Sequence, residues 1–152
     1  MSGDVPDDLD WRRNLLETPD ALAALLRGVK TIAVLGIRSE AFADRPAHYV
    51  AAAAARSGRT VIPVSLHEPE VRTILGQPVV RSLAAIPGPV DLVDVFRRAD
   101  DVPGHVDDIL AKRPRAVWLQ SGIKHDAVAE RLARAGIQVV QDRCLMVELS
   151  RL

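Results

Sequence analysis

The chain has 152 residues, enough for one domain with a substantial core and too few for two ordinary ones. Hydrophobic residues make up 48% and charged residues 26%, which argues against disorder, and the formal net charge is zero, so no general electrostatic attraction to nucleic acid or membrane is expected. One cysteine, Cys144, excludes an internal disulfide and a cysteine-based zinc site. No stretch approaches the roughly 20 apolar residues of a membrane span, and the first ten residues lack the basic and apolar parts of a signal peptide, so the expected location is the cytoplasm.

Residues 1–14 read as a polar arm, with Trp11, Leu15 and Leu16 marking where the chain docks, and 15–152 as the folded domain. The first 20 residues hold six acids (Asp4, Asp7, Asp8, Asp10, Glu17, Asp20) against Arg12 and Arg13, which leaves the remainder with about four positive charges. Thr18, Pro19 and Asp20 form a helix start, Leu22, Leu25 and Leu26 its apolar face, and Gly28 its stop. Residues 31–35 are a continuous apolar run, as in a strand covered on both faces. A loop with Gly36 leads to Arg45-Pro46 and an alanine-rich helix that stops at Gly58.

Residues 60–64 form the second strand, and because proline cannot donate to a ladder, Pro63 means that the strand lies at a sheet edge or frays there. Residues 68–75 predict a short helix, and 78–80 a weak extension. The third strand is 91–95; Pro103 then opens a helix with Val106, Ile109 and Leu110 inward, ended by Pro114. The fourth strand is 115–119, followed by an amphipathic helix over 126–135 with Gly136 as its stop, a fifth strand over 137–140, and a last helix over 144–152. Strands separated by helices predict βαβ units: one α/β, Rossmann-like, doubly wound domain with a mainly parallel sheet of about five or six strands and helices on both faces.

Such sheets bind ligands beyond the carboxyl ends of their strands, near the point where strand order reverses. The residues that follow the five strands are Gly36, Ile37, Arg38 and Ser39; Ser65, Leu66 and His67; Phe96, Arg97 and Arg98; Gln120, Ser121 and Gly122; and Asp142, Arg143 and Cys144. Surface loops of an arginine-rich chain hold arginines anyway. Convergence of Arg38, Arg97, Arg98 and Arg143 on one sheet end, with a glycine turn and helix N-terminal amides, goes further and describes a site for phosphates.

Familiar motifs are missing. The turn from Gly36 to Ala41 has one glycine where G-x-G-x-x-G needs three, and Ser65 stands where an acid would hold a ribose diol, although Glu68 and Glu70 lie a little beyond. The phosphate-loop pattern G-x-x-x-x-G-K-S/T and the G-x-S-x-G elbow are absent. His48, His67, His105 and His125 show no H-x-x-x-H pairing. Asp91 and Asp94, three apart on one strand, face opposite sides and form no dyad.

The same strand ends carry a resemblance. Ile32-Ala-Val-Leu-Gly-Ile37, Arg45-Pro46, Val61-Ile-Pro-Val64, Val90-Asp-Leu-Val-Asp-Val-Phe-Arg-Arg98, Val117-Trp-Leu-Gln-Ser-Gly-Ile123 and Val140-Gln-Asp-Arg-Cys144 resemble the small stand-alone CoA-binding domain family. That family is similar to the nucleotide-binding domain of the succinyl-CoA synthetase α-subunit. The resemblance implies a Rossmann-like fold with coenzyme A, or an acyl-CoA, across the strand ends. By position, Gly36, Ile37, Arg38 and Ser39 would meet the phosphates through backbone amides, with Arg45 nearby. Ser65 and the residues after it would lie near the adenosine, Phe96, Arg97 and Arg98 would wall the crevice, and Leu119, Gln120, Ser121 and Gly122 would bracket the pantetheine arm. The chain departs from the family at Val64-Ser65-Leu66, where relatives commonly read V-N-P.

The resemblance brings no catalytic segment, since the phospho-histidine and the nucleotide-grasp parts of the synthetase lie in domains and subunits outside the matching region. Four readings stay open: a non-catalytic CoA carrier, sensor or partner subunit; a small acyl-CoA or thiol enzyme using Cys144 or His125; a nicotinamide- or flavin-binding regulator; and, last, a purely structural module, in which the strand-end arginines would have no purpose. A protein partner or homo-oligomer is not readable from the residues.

Overall fold

The computed structural model describes residues 10–152. Of the expected arm, residues 1–9 lie outside the described residues, and Trp11–Asn14 forms a 3-10 turn with Trp11 buried. Five parallel strands, β1 (Thr31–Leu35), β2 (Thr60–Val64), β5 (Leu92–Val95), β6 (Ala116–Leu119) and β7 (Gln138–Val140), pair in the order β2-β1-β5-β6-β7. Between β2 and β5 lies a small antiparallel hairpin, β3 (Thr73–Ile74) with β4 (Gln77–Pro78). The helices are α1 (Pro19–Arg27), α2 (Pro46–Arg56), α3 (Val106–Lys112), α4 (Asp126–Arg134) and α5 (Leu145–Ser150).

Alternation along the strands divides the core in two. Ala33, Leu35, Val93, Val95, Val117 and Leu119 face α3 and α4 through Val106, Ile109, Val128 and Leu132. Ile32, Val34, Leu92, Trp118 and Val140 face the other way, against Leu25 and Leu26 of α1, Val50 and Ala54 of α2, and Leu145 of α5. Both sheet faces are therefore covered, which is why β1 and β6 read as apolar runs and β5 does so apart from Asp94. The doubly wound α/β expectation holds.

Local chemistry fixes the element ends. The Thr18 side chain accepts from the Ala21 amide at 3.2 Å and Pro19 opens α1. Pro63 sits on the edge strand β2, where its missing N–H costs nothing and its carbonyl accepts from Val80 at 2.9 Å.

Two expectations are corrected. Residues 68–75 are not a helix: they run as turns into β3, and Leu75 and Gly76 both take positive φ to close the hairpin. The Arg81 guanidinium donates to the carbonyls of Glu68, Pro69 and Val71, so this segment satisfies its backbone through a distant side chain rather than a helical ladder. Pro103 does not open a helix. It lies inside a 3-10 stretch, Ala99–His105, and α3 begins after it. No helix among the described residues is long and apolar enough to cross a membrane.

Candidate functional site

Strand order reverses at β1: the chain leaves β1 for β2 on one side and later returns to β5 on the other. The carboxyl ends of β1 and β5 lie in register, Leu35 beside Val95, and the loops that leave them diverge to open a crevice. Its volume is about 960 Å³, and its lining includes Gly36, Arg38, Arg45, Phe96, Arg97, Arg98 and Gly122. Pro46 and Ala47 bring the first turn of α2, with the positive end of its dipole, to the same wall; Pro46 has no N–H, and the His48 and Tyr49 amides donate to the Arg45 carbonyl at 2.9 and 3.0 Å.

Gly36 is required where it stands. Its φ is +91°, and a Cβ there would overlap the Phe96 carbonyl. The turn itself is already bonded within the chain. The Gly36 amide donates to Val64 at 3.0 Å, the Arg38 amide to Ala47 at 3.1 Å, and the Ser39 amide to the Glu68 carboxylate at 2.9 Å. Three of the four amides expected to meet phosphates are thus engaged within the chain.

Arg97 is held from three sides. Its Nε donates to His105 Nε2 at 3.2 Å, one terminal nitrogen to His67 Nε2 at 3.1 Å, and the other lies 3.7 Å from Asp101. Guanidinium only donates, so both imidazoles present a bare Nε2 and carry their proton on Nδ1. Burial, followed by the Arg97 charge, lowers the pKa of His105 below its ordinary value and keeps it an acceptor. Arg98, mostly exposed, pairs with the same Asp101 at 3.2 Å. Arg38 and Arg45 both stack on Phe42, their guanidinium carbons 3.9 and 5.0 Å from the ring centre. Arg38 also pairs with Glu68, at 3.3 Å.

Other expected residues lie beneath the crevice rather than in it. Ile37 is fully buried in the α2 side of the core, and Leu119 in the α3–α4 side. Ser65 is buried with no partner for its hydroxyl. Ser39 is buried and faces Glu68. Gln120 is buried, donating to Asp94 at 2.6 Å and accepting from the Leu145 amide at 3.4 Å. Ser121 is exposed and does not line the cavity. Arg143, the fourth expected arginine, is also outside the lining and reaches the Glu17 carbonyl. Cys144 is half-buried and does not line the cavity, and His125 is spent capping α4, its Nδ1 accepting from the Val128 amide at 3.2 Å.

The residues not assigned to the site from sequence are Asp101 and Ile123, with Pro46, Ala47 and Ala99; His67 was expected only as one of the residues after Ser65. His67 stood among the residues that follow β2, and Ile123 directly follows Gly122. Asp101 could have been found as an i, i+4 partner of Arg97.

Asp94 is a separate feature of the same strand. It is fully buried in β5, one carboxyl oxygen accepts from Gln120, the other has no partner, and desolvation pushes its pKa up to about 7. Asp91, at the opposite end of the sheet, accepts from the amides of Lys30 at 2.8 Å and Thr31 at 3.0 Å, a structural clamp that keeps it out of the crevice.

Comparison with known proteins agrees with the geometry. A model of the CoA-binding domain family matches residues 30–150. The chain is 34% identical over 123 residues to the uncharacterized protein YneT of Bacillus subtilis, covering 81% of this chain and 87% of that one. A Thermus thermophilus structure described as cell-free ID.343 is 43% identical, with a TM-score of 0.82 over 89% of this chain and 98% of that one. The dinucleotide forming acetyl-coenzyme A synthetase 1 of Ca. Korarchaeum cryptofilum shares the fold alone, at 17% identity and a TM-score of 0.64 over 77% of this chain and 27% of the synthetase. The chain belongs to the CoA-binding domain family.

Proposed function

We propose that the crevice at the β1–β5 switch point binds coenzyme A or a short acyl-CoA, and that the protein serves as a non-catalytic carrier, sensor or partner subunit. The observation that carries this reading is the pairing of cations with an apolar floor in one cavity: Arg45, Arg97 and Arg98 with the α2 N-terminus, beside Phe96, Gly122 and Ile123. A ligand with several phosphates on one end and a slender arm on the other matches that division. A volume of about 960 Å³ suits a molecule of that size.

The enzymatic alternative has no support in the crevice, because neither Cys144 nor His125 lines it. The nicotinamide alternative needs a carboxylate for a ribose diol, and both oxygens of Glu68 are occupied by Ser39 and Arg38. The test is a thermal-shift comparison of CoA, 3′-dephospho-CoA and NADH. Stabilisation in the order CoA, then 3′-dephospho-CoA, then NADH supports the reading; NADH ahead of CoA refutes it.

A further inference from the structure

Glu68 is an acid bonded to the turn that borders an arginine-lined crevice. It is only 7% exposed, yet both carboxyl oxygens are satisfied: Oε1 accepts from Ser39 Oγ at 2.6 Å, and Oε2 accepts from the Ser39 amide at 2.9 Å and from Arg38 Nε at 3.3 Å. Burial alone pushes its carboxyl up, but the Ser39 and Arg38 hydrogen bonds outweigh that and hold it below the ordinary value, so it stays charged. A backbone N–H, a hydroxyl and a guanidinium converging on two oxygens are the donors that a bound phosphate would use. They converge beside the glycine turn, where a doubly wound fold commonly places one.

We infer that Glu68 is a built-in anion that fills the phosphate seat of the Gly36–Ser39 turn and directs the ligand's phosphates to the Arg45, Arg97 and Arg98 wall instead. The seat follows from the hydrogen bonds alone; the redirection rests on the CoA reading above. Charge supports it. Arg38 and Glu68 cancel, Asp101 offsets one of Arg97 and Arg98, and the unspent positive charge of the crevice lies with Arg45 and the remaining arginine. The segment that carries Glu68 is itself pinned, by Arg81 on its carbonyls and by His67 on Arg97. The acid is therefore held in the seat from both sides and does not simply lie across it.

Glu68→Ala empties the seat while leaving Ser39 and Arg38 in place. Formate or inorganic phosphate, added alone, should then raise the melting temperature saturably in the variant and leave the wild type unmoved, and Ser39→Ala added to Glu68→Ala, which removes one of the three donors, should weaken the response. CoA affinity in Glu68→Ala should rise about fivefold, the scale of one removed negative charge near a polyanion. A folded Glu68→Ala that ignores both anions overturns the inference. Should Glu68→Ala not fold, Glu68→Gln removes the charge and keeps an oxygen to accept from the Ser39 amide, with its NH2 donating to Ser39 Oγ. It should tighten CoA about fivefold, and a weakened affinity there would show that the carboxylate contacts the ligand, which also overturns the inference. A wild-type chain that binds no CoA, beside a Glu68→Ala variant that responds to formate, would refute the CoA reading and leave the seat standing.

Discussion

Gly36, with φ of +91°, packs directly on the carbonyl of Phe96. The contact follows from register: β1 and β5 are parallel neighbours with Leu35 beside Val95, and the Phe96 amide donates to the Leu35 carbonyl at 2.9 Å. The two loops that frame the crevice leave the sheet at one point, and only a residue without a Cβ fits between them.

Gly36→Ala should therefore damage both fold and site. A left-handed alanine costs about 1 to 2 kcal/mol, and the overlap with Phe96 adds to it, so a loss of about 2 to 4 kcal/mol is expected in denaturant unfolding. The displaced Phe96 and Arg97 should carry CoA binding down with them. A variant as stable as the wild type would mean that the turn relaxes freely.

Arg97 and Arg98 differ in how firmly they are held. Arg97 is fixed by His67, His105 and Asp101, while the Arg98 side chain is 87% exposed. Arg97→Ala should weaken CoA binding by about 1 to 3 kcal/mol, the scale of a charge-assisted hydrogen bond, and Arg98→Ala by less. Titration calorimetry of the two variants checks the order. Equal, negligible effects would remove both from the ligand.

Asp94 sets a pH dependence of stability. Its carboxyl has a pKa of about 7 in the folded chain and an ordinary value near 4 in the unfolded one. Between those values the native state holds a proton that the unfolded state has lost, so stability falls as pH rises through this window and levels off above about 7. Asp94→Asn keeps the acceptor for Gln120 and removes the titration. At pH 8 it should be more stable than the wild type by up to about 4 kcal/mol, with little difference at pH 4. Parallel pH profiles in urea unfolding would contradict the assignment.

The five main strands were legible because each is a short apolar run between glycine, proline or polar breaks, and coverage on both faces leaves no alternation to misread. Pro63 pointed to an edge position or a frayed strand, and β2 lies at the edge. Residues 68–75 were not legible, because what organises them is remote: Ser39 and Arg38 hold the Glu68 side chain and Arg81 holds the carbonyls. Of the residues read from the strand ends, Gly36, Arg38, Arg45, Phe96, Arg97, Arg98 and Gly122 line one crevice. Ser65, Leu119 and Gln120 do not, because they turn inward as their strands end and position after a strand does not say which way a side chain points. Glu68 carried a faint signal, an acid just past β2 that must lie beside the loop leaving β1, and only the hydrogen bonds show what it is for.

The most direct measurement is calorimetric titration of ligand-stripped protein with CoA and, in parallel, with NADH. Saturable micromolar binding of CoA, weakened in Arg97→Ala and with NADH silent, is the result predicted here. Binding of NADH without CoA, or CoA binding indifferent to Arg97, would contradict it.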